Sequence, residues 1–161
     1  MFNPSYKIVL MPKCFPEDNV ICLGSQLITI VNVLKDFLPD HEWYGADVDA
    51  VGKDINKIDL KSFRLNYIGS DFSLIQYCSG IDQFIWGVFV CADSNSFPKN
   101  VQGQEVETED EPFRSIPCTG ILLEIRAFDT SYFEIYSDNE KIIDLVHEKF
   151  NSSELLCNLK K

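Results

Sequence analysis

Residues 120–150, GILLEIRAFDTSYFEIYSDNEKIIDLVHEKF, decide the fold. Two apolar runs, Gly120 to Phe128 and Tyr132 to Tyr136, are separated by Asp129-Thr130-Ser131. So short a link makes them an antiparallel hairpin, because parallel strands need a long crossover. Ser137 followed by Glu140 three residues later reads as a capping box that opens a helix. Ile142, Ile143, Val146 and Phe150 recur at helical spacing and line its apolar face. A hairpin running into an amphipathic helix is an α+β signature.

Outward from this segment, Gln83 to Cys91 (QFIWGVFVC) is apolar at both parities. It reads as a central strand covered on both sides, with Gly87 marking a bulge or a close backbone approach. Before it, Ser70 caps a short helix, DFSLIQYCS, which Gly80 ends. Ser62 to Ile68 alternates Phe63, Leu65 and Tyr67 with Arg64 and Asn66, the period of a half-exposed strand. Glu42 to Asp49 reads as another strand and 50–60 as a loop. Leu27, Ile30, Val31, Leu34 and Leu38 form a helical stripe, with Ser25 as its N-cap and Pro39 as its stop. Tyr6 to Met11 reads as the first strand. The expected fold is therefore α+β: a mixed, largely antiparallel sheet, two main helices on one face, and a long acidic loop. The 161 residues read as one domain. Residues 151–161 read as a tail that adds a short turn or frays.

That loop, 93–117, holds Pro98, Pro112 and Pro117 and the run QEVETEDE. Glu105, Glu107, Glu109, Asp110 and Glu111 place five carboxylates within seven residues. Such a segment resists compaction and, at this length, is commonly functional or disordered. The whole chain is acidic: 14 Lys and Arg against 25 Asp and Glu, a formal charge of −11. A field of that sign repels nucleic acid and anionic membranes and speeds the approach of a basic protein. It also serves solubility alone.

Enzyme signatures are sparse. The sequence contains no G-x-x-x-x-G-K-[ST], G-x-G-x-x-G or G-x-S-x-G. His41 and His147 are its two histidines, with no H-E-x-x-H. Six cysteines, at 14, 22, 78, 91, 118 and 157, form no C-x-x-C pair and sit mostly in apolar surroundings. Cys14 beside Lys13 could pair with His41 as a hydrolase dyad only if the fold brings them together. Asp47 and Asp49, two apart on a strand, share a face. They could hold Mg²⁺, but the reading favoured is a charged face of an edge strand. No cofactor or metal is expected. With no signal peptide and no apolar span, the expected compartment is the reducing cytoplasm.

The stretches WYGADVD (43–49), FIWGVFV (84–90) and 123–150 together resemble bacterial immunity proteins of polymorphic or contact-dependent toxin systems. The resemblance carries no diagnostic motif, so no site residues transfer from it. It implies a non-catalytic inhibitor that occludes the active site of a basic toxin, for example a nuclease with a cationic cleft. On that reading Glu105, Glu107, Glu109, Asp110 and Glu111 are the partner contacts, with Asp47 and Asp49 secondary and Trp43 and Tyr44 as aromatic anchors. The competing expectations are a small hydrolase or transferase, which needs a concave pocket with converging polar groups, and an adaptor subunit with an open strand edge.

Overall fold

A computed structural model describes residues 4–53, 58–95, 101–110, 120–151 and 153–157, with side chains through 155. Seven strands form one sheet: β1 (Tyr6–Leu10), β2 (His41–Gly52), β3 (Asn66–Gly69), β4 (Ile81–Asp93), β5 (Ile121–Phe128), β6 (Tyr132–Ser137) and β7 (Glu154–Cys157). Their order is β3-β2-β4-β5-β6-β1-β7. Every pairing is antiparallel, so the sheet is not mixed. Three helices, α1 (Gly24–Leu34), α2 (Asp71–Ser79) and α3 (Glu140–Lys149), bury their apolar stripes in one large cluster with the sheet. Leu27, Ile30 and Leu34 of α1 meet Trp43, Phe84, Phe89 and Ile125 there. Gly24 is obligatory at this contact, since a Cβ would fall 2.3 Å from the carbonyl oxygens of Cys78 and Ile81.

The hairpin forms as expected, with Phe128 facing Tyr132. The helix after it starts later than the capping-box pattern implies. Ser137 is the last residue of β6; its hydroxyl donates to the Leu122 carbonyl at 2.7 Å and accepts from the Asn139 amide. Asn139 is the cap, accepting from the Lys141 amide at 3.0 Å. Strand pairing thus claims the serine that the local pattern assigns to the helix. At α1 the cap is likewise not Ser25. The helix begins two residues earlier than that cap implies, at Gly24 with Leu23 as its N-cap, and Gln26 reaches back to accept from the Leu23 amide. The tail also departs from expectation: 154–157 pairs with β1 as an edge strand.

The face of the sheet away from the helices carries a second, smaller core: Tyr44, Ala46, Leu65, Val88, Val90, Ala92 and Tyr136. Val101 and Val106 close over it, so part of the segment expected as a solvated loop is packed. β2 and β4 are therefore covered on both sides.

Candidate functional site

A β-bulge in β2 sets the geometry of this second face. Ala46 pairs with Val88 and Asp49 with Trp86, so three steps along β2 answer two along β4. Asp47 takes up the extra residue at φ +52°, a region that Asp enters more readily than most residues. The opposing residue of β4 is Gly87, where a Cβ would sit a tight 3.2 Å from Phe89 Cε2 and in ordinary contact with Val48 Cγ2. The amides of Asp47 and Val48 turn away from the sheet to the carbonyls of Ser62 (2.7 Å) and Leu60 (2.8 Å). This diverts 60–65 from the ladder, and β3 begins only at Asn66 rather than at Ser62.

Residues 101–110 form a strap beside the diverted stretch. Gly103 donates to the Leu65 carbonyl, Leu65 to Gln104, and Val106 to Phe63, at 2.7, 2.8 and 2.7 Å. Along the strap Val106 and Thr108 point inward and are buried, while Glu105, Glu107 and Glu109 are exposed. The Thr108 amide donates to Asp47 Oδ2 at 2.8 Å. The Glu107 amide donates to Asp110 Oδ2, and the Asp110 amide returns to the Glu107 carbonyl, closing a turn.

Beneath the strap lies a polar network. Arg126, 3% exposed, donates from Nη1 to the carbonyls of Thr108 (3.1 Å) and Asp110 (2.6 Å) and from Nε to Glu124 Oε1 (2.7 Å). Lys7 pairs with Glu134 at 2.6 Å, and the Tyr136 hydroxyl donates to the same carboxylate. Lys7 and Arg126 both lie within 5.5 Å of the Tyr136 ring centroid, in reach of its negative face. Two cations meet two carboxylates, which is how charge survives in a buried site. Burial, the largest single influence, pushes the Arg126 guanidinium down; Glu124, with Tyr136 and Glu134, together outweigh it, and Arg126 lies above its ordinary value. Burial, reinforced by Glu134, pushes the Tyr136 phenol well up.

The expected site residues separate accordingly. Glu105, Glu107, Glu109 and Asp110 come together on the strap, with Glu105 paired to Arg64 at 2.8 Å. Glu111 lies outside the described residues. Asp47 is spent holding the strap; Asp49 is exposed farther along β2. The anchors Trp43 and Tyr44 need correction. Both rings are buried, on opposite faces of β2, because that strand is interior to the sheet and covered on both sides. Neither ring is available to a partner. Nor is β2 an edge strand.

No local sequence motif singles out Arg126, Glu124, Glu134, Lys7 or Tyr136. Alternation in LEIRAF and YFEIY marks Glu124, Arg126 and Glu134 as one face, which reads as solvent-facing. The register that sets Arg126 opposite Glu134 is what gathers these charges on one covered face, and it needs the strand alignment.

His41 donates from Nδ1 to the Pro39 carbonyl (2.6 Å) and bonds through Nε2 to Asp71 Oδ1 (2.7 Å). The Trp43 indole donates to that same oxygen at 2.8 Å. With both ring nitrogens engaged, neither is placed to activate a nucleophile. Cys14 follows β1, four strand positions from β2, roughly 19 Å at ordinary strand spacing. Its thiol, like those of Cys22, Cys78 and Cys91, is buried, and burial pushes all four up, Cys22 to about 11. His147 bonds to the Ser153 hydroxyl at 2.8 Å, tying the end of α3 to the start of β7. Among the described residues no three His, Cys, Asp or Glu side chains converge as metal ligands, and no helix is long and apolar enough to cross a membrane. Comparison with known protein families, curated proteins and solved structures finds no match.

Proposed function

We propose that this chain is a non-catalytic acidic protein that captures a basic protein, in the manner of an immunity protein occluding the active site of a cognate toxin. The observation that carries the reading is the strap. Glu105, Glu107 and Glu109 face outward from a backbone that is hydrogen-bonded to 63–65 and gripped by Arg126. Carboxylates presented on an ordered backbone lose little entropy on binding, which favours affinity. A charge of −11 steers a basic partner toward them and raises the association rate. Guanidinium and ammonium groups that would otherwise hold phosphate make short, charge-assisted bonds to carboxylates.

Co-purification from the native host at low salt, followed by association kinetics with the captured protein, tests this. The expected partner is basic, and its on-rate falls steeply with ionic strength. Replacing Glu105, Glu107 and Glu109 together by Gln should slow association on the order of tenfold. An acidic partner, or an on-rate indifferent to both salt and the triple substitution, would refute the reading.

A further inference from the structure

Phe63 is 52% exposed although it is large and apolar. It lines a concavity of about 350 Å³ together with Arg64, Glu105, Val106, Glu107 and Asp110. The walls are fixed: the Val106 amide bonds to the Phe63 carbonyl, and the Glu107 amide to Asp110 Oδ2. An aromatic ring set among carboxylates is the chemistry of a cation receptor. The ring face attracts a positive charge, and the carboxylates accept its hydrogen bonds. A neutral apolar guest would desolvate those carboxylates without compensating them. The volume lies at the low end for ligand pockets, so it suits one side chain rather than a whole cofactor.

Arg64 already rests on Glu105 at 2.8 Å, with 65% and 61% of the two side chains exposed. So exposed a pair contributes little and is readily exchanged. Arginine fits this setting better than lysine, because its planar group stacks on a ring and bonds carboxylate in a fork at once.

The geometry points to a receptor for a single arginine side chain of the basic partner, seated on Phe63 between Glu105 and Glu107, with Arg64 as the internal guanidinium that swings aside to admit it. This inference rests on the capture of a basic protein proposed above.

An acetylated tetra-arginine peptide, its tetra-lysine counterpart and the neutral tetra-citrulline analogue, titrated into isotope-labelled protein at low ionic strength, provide the test. Tetra-arginine should bind most tightly and shift the amides of Phe63, Val106 and Glu107; tetra-citrulline should not bind. Phe63→Leu, which keeps the apolar volume and loses the ring, should weaken tetra-arginine about threefold to tenfold. Arg64→Ala should strengthen it about threefold, by removing the competitor. Tetra-arginine binding that is equal to tetra-lysine and unchanged by Phe63→Leu would overturn the pocket and leave the wider reading standing. No binding of either cationic peptide to the wild-type protein would overturn both.

Discussion

Arg126 donates a 2.6 Å hydrogen bond to the main-chain carbonyl of Asp110, so a buried cation holds down the most acidic stretch of the chain. The contact is to backbone and not to a carboxylate. The strap's outward side chains therefore point to solvent, Glu105 against Arg64 and Glu107 and Glu109 toward another molecule, while its backbone is fixed. Glu124 keeps the guanidinium oriented, through Nε at 2.7 Å.

Arg126→Met should destabilise the protein by about 3–5 kcal/mol, since it strands the Glu124 carboxylate in the interior. Adding Glu124→Leu should recover most of that loss, because two apolar side chains replace two charges. The double variant still lacks the donor to Thr108 and Asp110. Amide exchange at residues 104–110 should stay fast in it even as the urea midpoint returns. Slow exchange there would show that the strap does not depend on Arg126.

Trp43→Phe should lower stability by about 2–3 kcal/mol. The change removes the indole donor to Asp71 and part of a fully buried ring. Asp71→Asn leaves an acceptor oxygen for the indole and should cost less. A urea midpoint for Trp43→Phe at or above the Asp71→Asn value would show that the Trp43–Asp71 bond contributes little.

Stability should fall as pH rises above about 9. Cys22 ordinarily ionises near 9.0 and is pushed to about 11 by burial. Cys14, Cys78 and Cys91 are shifted in the same direction, first by burial. The unfolded chain then releases these protons before the folded one does. The stabilisation is complete below the unfolded value and is lost as pH climbs through the folded ones. Denaturant midpoints at pH 7.5 and pH 10 check the sign. Thiol labelling mapped by mass spectrometry at pH 8 should leave these four cysteines unmodified until denaturant is added.

Thr130→Gly should stabilise the β5–β6 hairpin by about 0.5–1 kcal/mol. Asp129 and Thr130 have φ of +49° and +51°, and a β-branched side chain fits that region poorly. Glycine relieves the strain at some entropic cost in the unfolded chain. Ser131→Gly, next door and without a positive φ, should give no such gain. A thermal midpoint raised by Ser131→Gly and not by Thr130→Gly would contradict the strain argument.

Local patterns carried much of the architecture. The two apolar strands read at 120–128 and 132–136, the helical stripe on Ile142, Ile143 and Val146, and the Ser70 and Gly80 boundaries of α2 all stand in the structure. Each is a statement about residues adjacent in sequence, where backbone geometry dictates the side-chain period. The candidate site was only half legible. Composition marked Glu105, Glu107 and Glu109, but composition cannot distinguish an exposed carboxylate on a fixed strap from one on a solvated loop.

Tertiary structure decided the rest. Trp43 and Tyr44 look like surface aromatics beside two aspartates until strand order places β2 inside the sheet. Asp47 leaves the strand's alternation because a bulge opposite Gly87 inserts one residue. Glu124, Arg126, Glu134 and Lys7 read as a wetted face until register and the strap turn them into a buried, paired network. By itself the sequence determined most of the elements, though not the edge strand β7, and that the chain is acidic. Which polar groups are covered, and by what, depends on contacts between residues far apart in the chain, and no local periodicity encodes those.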